Sequence, residues 1–231
     1  MNVVIINGSS RKNGATAKIL KEISNVLNTY SNMNIQFIHL SDIKMEFCNG
    51  CYSCYKTGTC FIQDDVEQII ELISKADGTI IGTPTYESNI SGQLKVLADR
   101  GHFVFEQLLH QQYALTVTTS ENYGGGAASR ILNNLMTYSG ATLSASIKKK
   151  ILFNENPLDA VTKKKLEKEV RRFYLDIEKR KIHPFQWVKQ KIIFEMGIKQ
   201  FVYKKAAKYT GIFDGVFKHW ENKQINFKHI E

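Results

Sequence analysis

Five short strand-like stretches alternate with stretches of helical period along residues 1–182, and that alternation narrows the fold more than any other feature of the chain. The runs are Val3 to Ile6, Ile35 to Leu40, Gly78 to Thr83, Ala114 to Thr118 and Leu143 to Ile147. Between them, Ile19, Leu20, Ile23, Val26 and Leu27 recur at helix spacing, as do Val66, Ile69, Ile70, Leu72 and Ile73. Further helices are predicted through Leu94, Leu97 and Phe103, through Ile131, Leu132, Leu135 and Met136, and from Val161 to Ile182. Continuous apolar runs suit strands buried on both faces, and strand–helix alternation makes a parallel sheet covered on both sides. The expected class is α/β, a doubly wound five-stranded parallel sheet. Ligands of such sheets bind outside the carboxyl ends of the strands.

Three loops at that edge have unusual chemistry. After the first run comes Gly8-Ser9-Ser10-Arg11-Lys12-Asn13-Gly14-Ala15-Thr16, immediately before a helix. A helix amino terminus presents free N–H groups and a positive dipole, so it binds anions well. Ser9 and Thr16 add hydroxyls and Arg11 a charged fork. The pattern is neither G-x-G-x-x-G nor G-x4-G-K-[ST], so neither a dinucleotide fold nor a P-loop kinase is indicated. The third run ends in Pro84-Thr85-Tyr86-Glu87-Ser88-Asn89, and the fourth in Thr119-Ser120-Glu121-Asn122-Tyr123-Gly124-Gly125-Gly126. A glycine run lets backbone approach a flat ligand closely. Together the three loops point to a phosphorylated planar cofactor, FMN more naturally than a free dinucleotide. His39, within the second run, reads as a satisfied or exposed strand histidine. Asp64-Asp65 reads as the cap of the following helix.

All four cysteines fall in one loop, Cys48, Cys51, Cys54 and Cys60, spaced C-x2-C-x2-C-x5-C. Thiolates at such spacing can turn toward a common point and hold an iron–sulfur cluster or zinc. The same loop can instead carry structural or redox-active thiols beneath an apolar lid of Tyr52, Tyr55 and Phe61. Met1 to Asn7 enters a strand directly with no basic leader, so no signal peptide is expected and a cytoplasmic location is, where thiols stay reduced. No apolar run approaches the roughly 18 residues that span a bilayer.

The net charge of +9 suits anionic ligands. Much of it lies in Lys148 to Lys150, Lys163 to Lys165 and Arg171, Arg172, Lys179, Arg180 and Lys181, the pattern of a solvated helical face. No helix-turn-helix, zinc-finger or RNA-binding signature accompanies it, so nucleic acid is not an expected partner. After Ile182, Pro184 breaks the helix. An amphipathic, basic helical extension follows over residues 183–231, with Phe185, Trp187, Val188, Ile192, Ile193, Met196, Ile198, Phe201, Val202 and Tyr203 among lysines. Packing on the same domain or on a second copy is the expectation, so a homo-oligomer is foreseen; membrane contact is not.

Gly8-Ser9-Ser10-Arg11, the segment Pro84-Thr85-Tyr86 through Leu94-Lys95 to Asp99-Arg100, and Tyr123-Gly124-Gly125-Gly126 resemble the flavodoxin-like NAD(P)H-dependent FMN reductase family over roughly residues 1–180. That resemblance implies strand order 2-1-3-4-5. It also implies that Ser9, Arg11 and Thr16 hold the FMN phosphate. Ala15 stands where the family often has Asn, and so offers only its backbone N–H. Pro84, Thr85, Tyr86 and Asn89 would line the isoalloxazine, and Thr119, Ser120 and Gly124 would flank its pyrimidine side. The cysteine loop resembles the compact motif of the iron–sulfur flavoproteins, in which FMN and a [4Fe-4S] cluster exchange electrons. Many relatives with a similar loop are nevertheless described simply as FMN reductases.

The resulting expectation is an FMN-dependent oxidoreductase that takes electrons from NAD(P)H and passes them to a quinone, a flavin, a nitro or azo compound, or the cluster. No side chain is required as catalytic acid or base. The alternative is an iron–sulfur flavoprotein carrier with no small-molecule substrate, served by a ferredoxin-type partner.

Overall fold

The structure is a computed structural model and describes residues 1–153 and 155–225. The last six residues of the extension, Phe227 among them, lie outside it. Five strands form one parallel sheet: β1 (Asn2–Asn7), β2 (Asn34–His39), β3 (Gly78–Pro84), β4 (Tyr113–Ser120) and β5 (Thr142–Lys150). Their order is β2-β1-β3-β4-β5, as expected. The order reverses between β1 and β3, which opens a crease there at the carboxyl edge.

Side-chain alternation along β1 explains why the sheet is covered twice. Val3 and Ile5 pack on α1 (Ala15–Leu27) and α6 (Ala160–Glu178) through Ile19, Leu20, Ile23, Leu166, Val170 and Phe173. Val4 and Ile6 face the other way, into a core built with α3 (Val66–Ser74), α4 (Gly92–Arg100) and α5 (Gly125–Tyr138). A strand with both faces dry must read as an unbroken apolar run, and this one does.

Two helix ends differ from expectation. The fourth helix stops at Arg100 and does not run through Phe103, because Gly101 ends it and His102 turns to φ 51°. The helix of the basic stretch stops at Glu178, four residues short of Ile182, with Arg180 at φ 44°. Asp64 and Asp65 also differ. Asp65 is the N-cap of α3 but makes no side-chain cap bond; its carboxylate instead accepts from Lys44 N–H across the cysteine loop at 2.8 Å. Asp64 accepts the helix's Val66 N–H at 3.2 Å.

The extension is helical: α7 (Pro184–Ile192), a wider π-helical stretch (Ile193–Ile198), α8 (Lys199–Lys208) and α9 (Asp214–Asn222). Pro184 starts α7 at its first turn, where a missing N–H costs nothing. Phe194, Ile198, Val202, Phe213, Val216 and Trp220 form a third core. Tyr55 of the cysteine loop and Val104 and Phe105 of the segment after α4 pack into that core, so the extension is packed against the cysteine loop. No helix of the described residues is long and apolar enough to cross a membrane.

Candidate functional site

At the crease, the three loops are tied to one another. Gly8 N–H bonds Gly82 O at 2.8 Å, and Ser91 Oγ donates to Gly8 O at 2.5 Å. Ser91 also caps α4 by accepting from Leu94 N–H, so one hydroxyl fastens the loop after β1 to the segment after β3. The sequence reading gave Ser91 no role, although a serine directly before a helix signals a cap. Ser9 is buried and its Oγ accepts from Arg11 N–H at 3.1 Å. Arg11 itself is exposed. Thr16 Oγ1 and Thr119 Oγ1 share a hydrogen bond of 2.7 Å, joining the phosphate-type loop to the end of β4.

Tyr86 and Asn89 pair backbone to backbone around a two-residue turn, Glu87–Ser88, in which both residues have positive φ (47° and 62°). That is the backbone of a type I′ turn, here without glycine, so the loop carries local strain. Asn89 Oδ1 accepts from Ile90 N–H. Pro84 ends β3, and Thr85 N–H bonds Thr119 O at 2.8 Å. Gly124 (φ 80°) lies so close to this turn that a Cβ there would meet Ser88 Oγ at 2.5 Å; a Cβ on Gly125 would meet Ser120 Oγ at the same distance. Only glycine fits both the angle and the approach. Tyr86 and Tyr123 stand exposed at the rim. Thus Ser9, Thr16, Thr85, Thr119, Ser120 and Gly124 are brought into one laced crease.

This crease fits FMN on two observations. Helix α1 begins on Gly14 with no side-chain cap, which leaves its first-turn N–H groups for an anion. Thr85 Oγ1 is a buried hydroxyl with no hydrogen-bond partner, an orphan that a polar ring edge would satisfy.

The cysteine loop follows β2. Cys48 and Cys51 are exposed, Cys54 and Cys60 half-buried, and all are free thiols. Cys54 sits in a short helix, α2 (Ser53–Thr57), bounded by Tyr52 (φ 62°) and Gly58 (φ 85°). The loop's two ends are clamped by a buried ion pair. Arg100 Nη1 and Nη2 reach Asp64 Oδ2 and Oδ1 at 2.8 and 3.0 Å, with both side chains essentially inaccessible. Arg100 also donates to Glu46 O at 2.8 Å and, more weakly, to Ile62 O at 3.5 Å. Glu46 N–H in turn bonds Asp64 Oδ2. Burial works against ionising Asp64, but the Arg100 bond and the Glu46 and Val66 N–H groups outweigh it and hold the carboxyl below its ordinary range.

Beneath the loop lies a group that sequence reasoning missed. His102 Nδ1 is 3.1 Å from Glu106 Oε1, and both residues are buried. Glu106 Oε2 is 3.2 Å from His219 Nε2, which also reaches Gly58 O at 3.1 Å. Cys54 lies against His102, and Cys60 against Arg100. Burial pulls the His102 pKa down, but Cys54 and Glu106 overcome it and push it up to about 10. These residues come from α2, the segment after α4, and α9, with Cys54 and His219 165 positions apart, so no local motif announced them.

Among the described residues, no three Cys, His, Asp or Glu side chains converge tightly enough for a single metal ion, so the zinc alternative has no preformed site. A cluster is larger than one ion, and the chemistry of the donors fits it. Two sulfurs lie against the buried side chains of Arg100 and His102, and Cys51 Sγ accepts from Ser53 N–H at 3.5 Å. Sulfur set among N–H groups is the ligand chemistry of an iron–sulfur cluster.

The fold and crease together define a flavodoxin-like, FMN-type redox protein. The comparisons make this specific: residues 1–148 match the NADPH-dependent FMN reductase family, and the chain belongs to it. An iron–sulfur flavoprotein of Clostridioides difficile (strain 630) is 36% identical over 231 residues, covering 97% of this chain and 100% of that one. An iron–sulfur flavoprotein of Methanocaldococcus jannaschii is 39% identical over 100 residues, 43% of this chain and 51% of its own length. Among solved structures, an archaeal flavodoxin superposes with a TM-score of 0.53 at 12% identity, covering 77% of this chain and 99% of its own; it shares the fold.

Proposed function

We propose that this chain is a two-centre electron-transfer flavoprotein, with FMN in the crease and a [4Fe-4S] cluster on Cys48, Cys51, Cys54 and Cys60. The observation that carries the reading is the gathering of all four free cysteines in one loop, with Cys60 and Cys54 set against the buried side chains of Arg100 and His102. The full-length likeness to a protein named as an iron–sulfur flavoprotein supports it. Bound FMN supplies the exchange between hydride donors and one-electron acceptors, and the cluster supplies one-electron storage. The chain's residues do the rest. Ser9, Arg11, Thr16 and the Ala15 backbone face the phosphate. Pro84, Thr85, Tyr86 and Asn89 bound one side of the ring, and Thr119, Ser120 and Gly124 the other. The exposed rings of Tyr86 and Tyr123 leave the rim open to a planar partner. NAD(P)H is the proposed donor. A quinone, flavin, nitro or azo compound, or a ferredoxin-type protein, is the proposed acceptor.

The FMN-binding unit is residues 1–182, and 183–231 is the extension. A second copy covers α7, whose Phe185, Val188, Ile192 and the following Met196 are exposed at helical spacing. The test is anaerobic purification followed by a visible spectrum and an iron and sulfide assay. FMN bands with about four irons per chain are expected, and loss of iron in Cys54→Ser. FMN bands without iron reduce the protein to a single-centre NAD(P)H-dependent reductase. A colourless chain that cannot be reconstituted with FMN refutes the reading altogether.

A further inference from the structure

Between the cysteine loop and the extension lies a cavity of about 390 Å³ that shares no residue with the crease. Its floor is four aromatic rings in contact around a closed circuit. Tyr55 stacks on Phe213 with centroids 5.6 Å apart and meets Phe105 edge-on at 5.2 Å. Phe105 stacks on Phe201 at 5.6 Å, and Phe201 meets Phe213 edge-on at 6.5 Å. They come from the cysteine loop, the segment after α4, α8 and the turn before α9. Offset and edge contacts are the favoured arrangements of aromatic pairs, so the rings hold one another and the cavity is shaped before anything enters it.

The rim decides what such a cavity takes. Tyr52 and Tyr209 add two exposed rings, and Lys205 is the charged side chain of the lining. Pockets of roughly 300–1,000 Å³ bind small organic molecules, and this one lies at the small end, with room for one or two fused rings. A cage of rings alone would select an organic cation. Here no carboxylate lines the walls, and the Lys205 ammonium lies 5.9 Å from the centre of the Phe201 ring. It forms no ion pair among the described residues. A flat ring stacked on the floor, with an anionic substituent turned toward Lys205, meets both features.

We propose that this cavity is a binding site for a small planar aromatic anion, an aromatic carboxylate or sulfonate, separate from the FMN crease. The occupant touches the loop that carries the cysteines, because Tyr52 lies between Cys51 and Cys54 in sequence and Tyr55 follows Cys54. On its other side it touches α8, so binding ties the extension to that loop. Recognition uses neither FMN nor whatever the cysteines hold.

Isothermal titration calorimetry of the full chain, purified anaerobically and loaded with FMN, tests this with 2-naphthoate and its neutral analogue 2-naphthylmethanol. A single naphthoate site per chain is expected, with weaker binding of the alcohol. Lys205 is exposed, and Lys205→Met keeps an apolar stem. It should weaken naphthoate by about fivefold, the range of a partly exposed ion pair, and leave the alcohol unchanged. Phe201→Ala opens the floor and should weaken both ligands. If Phe201→Ala does not fold, Lys205→Met decides alone. Naphthoate affinity equal to wild type in the variants places the ligand elsewhere, the flavin face included, and overturns the proposal. Absence of binding to wild type overturns it too, and a lower mass of Phe201→Ala by light scattering would then assign the cavity to a second copy. Iron is assayed on the same samples. Lys205-dependent binding in a chain without iron supports this site while refuting the cluster.

Discussion

Replacing Arg100 with Met removes the cation from a pair whose side chains are both inaccessible while keeping most of the volume. Asp64 is then left as a buried carboxylate with two N–H partners, Glu46 at 2.9 Å and Val66 at 3.2 Å. Breaking a buried pair from one side costs about 3–5 kcal/mol, and the two remaining donors place this case at about 3. The fold loses more than a pair. Arg100 is what joins Glu46 and Ile62 O to Asp64, so the cysteine loop loses its closure at both ends. Urea denaturation of wild type, Arg100→Met, Asp64→Leu and the double variant measures this, with the cofactor state matched. Each single change should lower stability by about 3 kcal/mol, and the double variant should fall short of the sum by about 2 kcal/mol or more. Trypsin should cut at Lys56, in the loop, sooner in the single variants. Because the folded pKa of Asp64 is depressed, the clamp's stabilisation is full above the unfolded carboxylate range and lost as pH falls through the lower folded one. The gap between wild type and Arg100→Met should therefore close in acid. A loss under 1 kcal/mol, or full additivity, refutes the clamp.

Gly215→Ala puts a Cβ 2.1 Å from Gly58 N and 2.8 Å from Gly58 Cα, so α9 must lift from the cysteine loop. A loss of about 1–3 kcal/mol in urea denaturation is expected, together with faster trypsin cleavage at Lys56; unchanged values would show that α9 does not hold the loop. His110 gives a pH signature. Burial first, then Lys223, lowers its pKa from 6.5 to about 4. The folded state prefers the neutral ring, so this stability is full above pH 6.5 and is lost as pH falls toward 4. Between pH 7 and 5 the loss is about 2 kcal/mol, and His110→Gln should remove that part of the slope. A slope identical to wild type would contradict it.

The sheet was legible because its central strands, buried on both faces, read as continuous apolar runs, while the edge strand β2 reads by alternation. Its order came from the resemblance rather than from periodicity. The flavin-type loops were legible because Gly, Ser and Arg at a strand–helix junction have a local chemistry. What escaped depends on distance in sequence. Asp64-Asp65 has the look of a helix cap, and nothing near it says that Arg100 lies opposite. His102 looked like part of a continuing helix, since only the turn at Gly101 places its ring under Cys54. Glu106 and His219 are 113 residues apart, and a carboxylate bridging two histidines has no spacing rule to betray it.

The extension is where local reading was weakest and where structure changes the argument most. It was expected to pack on the same domain or on a second copy, and Lys223 is drawn inward, its Nζ bonding Leu108 O at 2.6 Å, with burial lowering its pKa. Trp220 Nε1 donates to Phe105 O at 2.7 Å from the same helix. Both contacts fix the segment after α4, which carries His102 and Glu106. The glycine pair Gly58 and Gly215 lets helix backbone meet loop backbone, an approach no side chain would permit. A tail that was only an oligomer arm would have no use for that approach. Helix α9 therefore belongs physically to the cysteine centre, and the third core with Tyr55 and Phe105 is the floor on which that centre is built.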